Sequence, residues 1–312
     1  MEIAKVVRNV SKEEAIESYT TLKGLVCTKD LEHGRAGLKA LDYLFFHHRI
    51  KAKTKRHLSF YDAMRSPEKI KHLNELIKKY KKVSASDLSP SELLKNQYSV
   101  FQLYYGTINQ FRPVAAKWLY CQMKPKVGIL DFSAGWGGRC MAAMSMGIPY
   151  IGIDANTKLE SGYTKMIEQY EPTAAVKLFF QPSESFDFSK QKYDLIFTSP
   201  PYFKLEEYEK MPDYPTKQLF LDKFFIPVVL SSWKHLLPGG NMALNMPEEM
   251  YDAIKSYLPR LKKTLILPLA SRHPTAAVLQ KALHTNAKPR GEYIYIWHKQ
   301  RTFTRKQKTK IN

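Results

Sequence analysis

The sequence predicts an α/β protein: a seven-stranded, mainly parallel sheet with helices on both faces, preceded by a mainly helical region. Three observations predict it. Seven short apolar runs follow residue 125 at helix-sized intervals, the pattern of strands covered on both faces. The first run leads directly into a glycine-rich turn, as a strand does where it hands over to a helix at the carboxyl edge of such a sheet. Before residue 107 the apolar residues recur at helical spacing instead, with no strand alternation of comparable length. At 312 residues the chain can build one sizeable core with a smaller attachment.

Taken in order, Ser11 followed by Glu14 is a capping box and predicts a helix near 12–20. Leu38, Leu41, Leu44 and Phe45 make a second helical stripe. Pro67 opens a third helix, in which Ile70, Leu73, Ile77 and Tyr80 share a face, and Ser89-Pro90-Ser91-Glu92 opens a fourth. The strand runs are VGILDF (127–132), YIGIDA (150–155), AVKLFF (175–180), YDLIFTSPPY (193–202), GGNMALNM (239–246), TLILPL (264–269) and EYIYIW (292–297). The last two are expected as an antiparallel pair at one edge. The chain therefore divides into a helical, basic region at 1–107, the sheet domain at 108–298, and a basic tail at 299–312.

Charge gives the first functional direction. The chain has 49 Lys and Arg against 29 Asp and Glu, a formal net charge of +20, which suits a polyanionic partner. Residues 1–120 carry 22 basic and 12 acidic side chains, 121–298 carry 21 and 17, and 299–312 carry 6 and none. A nearly neutral core thus has basic attachments. Lys51, Lys53, Lys55 and Arg56 are candidate phosphate contacts, as is the tail KQRTFTRKQKTKIN; ordinary solvated surface is the alternative. Arg272 and Arg290 are further cations in the connection 271–290.

Several classes are excluded. The 44% hydrophobic content rules out a disordered or low-complexity chain. No apolar run approaches the roughly 18–20 residues that cross a bilayer, and MEIAKVVRNVSKEE lacks the apolar centre of a signal peptide. An intracellular setting is expected, cytoplasmic or with the nucleoid or nucleus. Cys27, Cys121 and Cys140 lack a repeating spacing, so neither a disulfide scaffold nor a zinc site is predicted. His47, His48 and His57 have no metal-ligand spacing either, and no metal is expected.

Ligands of such sheets bind beyond the carboxyl ends of the strands. After the first strand stands DFSAGWGG (131–138), where Gly135 and Gly137 let the backbone approach a ligand or take a positive φ. It has neither dinucleotide GxGxxG spacing nor the Lys-Ser/Thr pair of a phosphate loop. Asp154 ends the second strand, where a carboxylate accepts both hydroxyls of a ribose; capping the next helix is its alternative use. After the fourth strand stands Thr198-Ser199-Pro200-Pro201-Tyr202-Phe203. Its two prolines fix φ and carry no N–H, leaving a rigid exit that offers acceptors. The Ser199 hydroxyl and Pro200 carbonyl suit the two hydrogens of an amino group, and Tyr202 suits stacking on the ring that bears it.

DFSAGWGG, GID (152–154) and TSPPYF (198–203) resemble the class I S-adenosylmethionine-dependent methyltransferases, and within them the DNA amino-methyltransferases of cytosine N4 and adenine N6. The resemblance covers about 110–300 and implies a Rossmann-like methyltransferase sheet with S-adenosyl-L-methionine as cofactor. It places cofactor binding on Asp131, Ser133, Gly135, Gly137 and Asp154. It places target binding and catalysis on Ser199, Pro200, Pro201 and Tyr202, with Phe203 as a further apolar wall for substrate. NQFRP (109–113) is similar to the segment that covers the methionine carboxylate, so Arg112 is a candidate partner for it, with Arg139 another; capping the following helix is the alternative for Arg112. The family's acid after the third strand is missing from FFQPSES, so Gln181, Ser183 or Glu184 takes the adenine, or backbone groups carry that contact. Tyr208 and Tyr214 are candidate lid residues. The resemblance implies direct methyl transfer to an exocyclic amine in nucleic acid, DNA favoured over RNA and cytosine N4 slightly over adenine N6. An inactive nucleic-acid-binding module is the non-enzymatic alternative. No recognition domain fits between the two motifs, so recognition falls to 1–107, 204–220, 271–290 or a partner protein.

Overall fold

The computed structural model describes residues 2–28, 34–203, 206–207, 214–268 and 291–301. Helix α1 (Glu2–Val7) is followed by α2 (Lys12–Gly24), which starts at the expected capping box: Glu14 N donates to Ser11 Oγ at 3.1 Å and Ser11 N donates to Glu14 Oε2 at 3.0 Å. Next come α3 (Leu38–Arg49), the two-residue strand β1 (Lys53–Thr54) and α4 (Phe60–Ala63). Helix α5 (Pro67–Lys81) begins on the expected proline, and α6 (Pro90–Tyr105) begins on a second capping box, Ser89 with Glu92. On α5 the buried residues are Leu73, Leu76 and Ile77, while Tyr80 is 47% exposed. The expected stripe is thus shifted, because the last turn extends past the small core that α5 shares with α6.

After α7 (Pro113–Met123) the sheet begins with β2 (Ile129–Asp131), α8 (Gly138–Met144) and β3 (Tyr150–Ile153). It continues through α9 (Glu160–Tyr170), β4 (Val176–Phe179) and β5 (Leu195–Thr198). Then follow β6 (Glu206–Glu207), α10 (Lys217–Phe220), α11 (Ile226–His235), β7 (Asn241–Asn245), α12 (Glu248–Ile254), β8 (Lys263–Pro268) and β9 (Gly291–His298). The seven-stranded order is β4-β3-β2-β5-β7-β9-β8, parallel except for β9, which runs antiparallel to both neighbours. This is the expected Rossmann-like seven-stranded sheet with helices on both faces, β8 and β9 lying at one edge. β1 pairs with β6 in a separate antiparallel ladder, Lys53 opposite Glu207.

Strand alternation sends side chains to two cores. Leu195, Phe197, Ala243, Ile294 and Ile296 face one, with α7, α8 and α9; Ile196, Met242, Leu244, Tyr295 and Trp297 face the other, with α11 and α12. The first core reaches across residue 107. It includes Tyr19 and Leu22 of α2 and Leu41, Leu44 and Phe45 of α3, while α4 to α6 share a separate core around Phe60, Leu73, Ile77 and Phe101, and Ala4, Phe46 and Ile50 form a small cluster between α1 and the end of α3. The Phe45 ring lies against Gly137 and Gly162, and a Cβ on Gly162 would overlap it.

Cys27 and Cys121 are joined in a disulfide, with Cα atoms 5.7 Å apart, between the chain after α2 and α7. Their wide separation in sequence hides a proximity that the packing of α2 on α7 creates. Lys117 strengthens that junction, donating to the carbonyls of Leu22 at 2.7 Å and Lys23 at 3.0 Å. Among the described residues no helix is long and apolar enough to cross a membrane, and none of the His, Cys, Asp and Glu groups could hold a metal ion.

Because Phe45 is 1% exposed and bridges α3 to the sheet domain, Phe45→Ala should cost about 3–5 kcal/mol. Denaturant unfolding followed through the sheet domain checks this; an unchanged midpoint would show that α3 is an appendage.

Candidate active site

The loop after β2 is set by a buried charge cluster. Asp131 is fully buried; its Oδ2 accepts from Arg139 Nε and from the Tyr150 hydroxyl, both at 2.6 Å, and its Oδ1 accepts from Ser133 N at 3.2 Å. Arg139, 4% exposed, also donates to the Ser133 carbonyl. Burial disfavours the Arg139 charge, yet the field and hydrogen bonds of Asp131 more than compensate and hold the guanidinium charged. Burial next to Asp131 also pushes the Tyr150 hydroxyl upward, keeping it a neutral donor.

The loop clamped in this way turns at Gly135, with φ +58°, and at Gly137, with φ +77°. Gly135 N donates to Asp154 Oδ2 at 2.7 Å, and Asn156 N donates to Asp154 Oδ1 at 2.9 Å. Burial raises the Asp154 pKa, while those two backbone donors work to lower it. Each carboxylate oxygen has one protein donor and retains acceptor capacity for a ligand hydroxyl.

These residues line a cavity of about 260 Å³ along the carboxyl edge of the sheet. Ser133, Gly135, Asp154, Ser183, Ser199, Pro200, Pro201 and Tyr202 are all in its wall. The Ser183 hydroxyl donates to the Phe132 carbonyl at 2.5 Å, and Tyr214 donates to Glu184 at 3.2 Å, closing one side. Burial, helped by Glu184, pushes the Tyr214 hydroxyl up to about 12. Tyr202 donates to the Asn245 carbonyl at 3.4 Å, joining the exit of β5 to β7 in the cavity wall.

Other expected residues lie elsewhere. Asp131 and Gly137 are behind the wall: Asp131 is consumed by Arg139 and Tyr150, and Gly137 caps α8 beneath Phe45. Arg139 reaches the wall but is spent on Asp131. In NQFRP the wall is made by Asn109, Gln110 and Phe111, whereas Arg112 precedes α7 outside the wall without a side-chain capping bond, and its charge favours the ionised form of Glu292. Phe203 packs on Phe220, 6.0 Å between ring centres. Gln181 is outside the wall, and Glu184 and Ser183 line it.

The basic run is not in the cavity. Lys51 lies 5.3 Å over the Tyr61 ring and Arg56 4.5 Å over the Tyr104 ring. The β1–β6 ladder nevertheless ties this run to the chain just after Tyr202 and Phe203. Tyr208, Arg272, Arg290 and the tail from Phe303 onward lie outside the described residues.

Asn245 and Glu292 are wall residues that no sequence motif marks, and within NQFRP it is Gln110 rather than Arg112 that reaches the wall. Gln110 donates to Asp42 at 3.1 Å, and Asp42 is paired with Arg49 at 2.7 Å, so α3 helps hold the cavity wall. Gly138 explains the tightness of this wall, since a Cβ there would overlap the Phe111 carbonyl oxygen.

No family model matches the chain, and no curated protein matches its sequence. Solved structures do. A protein assigned to the class I S-adenosylmethionine-dependent methyltransferases from Listeria monocytogenes is 13% identical, with 97% of this chain and 90% of that one covered and a TM-score of 0.44. TrmN from Thermus thermophilus is 13% identical over 68% of each chain, TM-score 0.43. An S-adenosylmethionine-dependent O-methyltransferase from Thermotoga maritima is 13% identical over 65% of this chain and 71% of that one, TM-score 0.41.

Removing one partner of a buried ion pair leaves an uncompensated charge. Arg139→Met should therefore destabilise the fold by about 3–5 kcal/mol in urea unfolding; a change near zero would mean that Asp131 does not depend on Arg139.

Proposed function

We propose that the chain transfers the methyl group of S-adenosylmethionine to an exocyclic amine of a nucleic-acid base. The observation that carries this reading is one cavity that joins the Gly135–Asp154 pair to the rigid exit Ser199-Pro200-Pro201-Tyr202. The residues suit the cofactor. Asp154 keeps acceptor capacity for ribose hydroxyls, Gly135 leaves the backbone bare beside it, and Phe132, Leu159 and Pro182 supply apolar walls for a flat ring with Glu184 at its rim. Asn109 and Gln110 offer polar groups at the methionine end.

When bound, the cofactor supplies an activated methyl group, so the protein's task is positioning and electrostatics. The Ser199 hydroxyl and Pro200 carbonyl accept hydrogens of the target amine and turn its lone pair out of the ring. Tyr202 flanks that ring. The prolines keep the acceptors from relaxing toward one another. A target in a duplex leaves its stack to enter, and the basic run held near the cavity by β1 and β6 contacts the phosphates. The motif lettering favours cytosine N4 in DNA; adenine N6 and RNA bases are the other targets.

Asp154→Ala should weaken cofactor binding by about 1.5–3 kcal/mol in calorimetry, the value of charge-assisted hydrogen bonds. Incubation with labelled cofactor and separate DNA and RNA pools, then mass spectrometry of the nucleosides, identifies the target. N4-methylcytosine is expected from DNA, and Ser199→Ala should lower turnover far more than cofactor affinity. Label in protein alone would overturn the reading.

A further inference from the structure

Resting on the amine reading above, we infer that Glu292 belongs to the transfer site and accepts the proton that the target amine loses. The methylated amine must shed a proton, and a neutral serine is a poor base. The cavity wall has three carboxyl groups, Asp154, Glu184 and Glu292. Asp154 is held by Gly135 and Asn156 on the β2–β3 side, and Glu184 is engaged with Tyr214. Glu292 alone stands on the half of the sheet that presents Ser199.

Register puts it there. Thr198 of β5 is opposite Leu244 of β7, so Ser199 comes level with Asn245; Asn245 is opposite Ile294 of β9, two residues from Glu292. Side chains two apart on a strand share a face. Phe197, Ala243 and Ile294 all enter the core that faces α7, so the same face, continued to the sheet edge, carries Ser199, Asn245 and Glu292. Neighbouring strands are about 4.8 Å apart, so β5 and β9 lie roughly 10 Å apart across β7, and a target ring and the glutamate side chain would meet in the cavity beyond the strand ends.

Asn245 shares the cavity wall with Glu292, and Arg112 stands at the start of α7. The residue as a whole is exposed, yet the surroundings of its carboxyl remove enough water to raise the pKa, which Asn245 and the Arg112 charge partly offset. The other ionisable groups of the wall are Asp154, Glu184, Arg139, Tyr202 and Tyr214. With a sulfonium methyl donor the balance is closed. The N–CH₃ bond forms, the S–CH₃ bond breaks with its electron pair left on sulfur, and the amine proton passes to a Glu292 carboxylate oxygen and then to water.

The ionised carboxylate is the active form. Since its pKa is raised, the rate should fall as pH drops through a value above the ordinary glutamate range of about 4.3. Single-turnover pH profiles of wild type, Glu292→Gln and Glu292→Asp test this. Glu292→Gln should lose about 10²–10⁴-fold in rate, lose the acid limb and keep cofactor affinity, and Glu292→Asp should recover part of the rate. Carboxyl ¹³C titration of the unliganded protein should show a raised glutamate carboxyl that Glu292→Gln removes. An unchanged rate in Glu292→Gln, or a reduced rate with the acid limb intact, overturns the inference alone. A wild type that binds cofactor and methylates no base overturns the amine reading and this inference with it.

Discussion

The buried Asp131–Arg139 pair is the constraint on which the site depends. A carboxylate with no solvent exposure at the end of β2 cannot remain charged without compensation, and Arg139, eight residues on, supplies it with help from Tyr150. The pair also sets the path of the chain between them. It fixes Ser133 through its N–H and its carbonyl, which forces the turn through Gly135 and aims the Gly135 N–H at Asp154. One ion pair thus converts a strand end into a shaped wall, and the residue that resembles a cofactor ligand in sequence serves as the anchor behind that wall.

The same wall needs support from the helical region. Gly138 lets the Phe111 carbonyl approach the start of α8, and Gln110 is tied to Asp42, itself held by Arg49 within α3. Phe45 of α3 fills the space left by Gly137 and Gly162. The segment over the cavity is consequently held between two layers, and α2 and α3 are structural parts of the site rather than a detachable recognition module. Helices α4 to α6 stand apart from that support, around a core of their own.

Local signals were legible in the sequence. Both capping boxes, the proline starts of α5 and α6, all seven strand runs and the antiparallel last pair follow from residue patterns a few positions long. Within the site, Gly135, Asp154 and the Ser-Pro-Pro-Tyr exit were legible because strand ends converge in this fold. What sequence did not show depends on distant pairing. The enclosure of Asp131 needs Tyr150, Asn245 comes level with Ser199 and Glu292 reaches the same face two residues beyond that row only through the register of three strands, and Cys27 meets Cys121 only when α2 packs on α7. Tyr80 fails for a related reason: periodicity gives the face of a helix but not where its neighbour ends.

Charge is divided in a way that fits this arrangement. The cavity wall has three carboxyl groups, and its one guanidinium, on Arg139, is neutralised by Asp131. A phosphate backbone would gain little by entering such a pocket. The basic run from Lys51 to Arg56 lies instead outside the cavity wall, where β1 and β6 join it to the chain beyond Tyr202. Attraction and chemistry are therefore separated: basic surface can hold a polyanion at the rim, while an acceptor-rich interior favours a neutral ring that presents N–H groups. The short β1–β6 ladder is the physical link between the two, because it fixes where the rim charges lie relative to the residues that would receive the base.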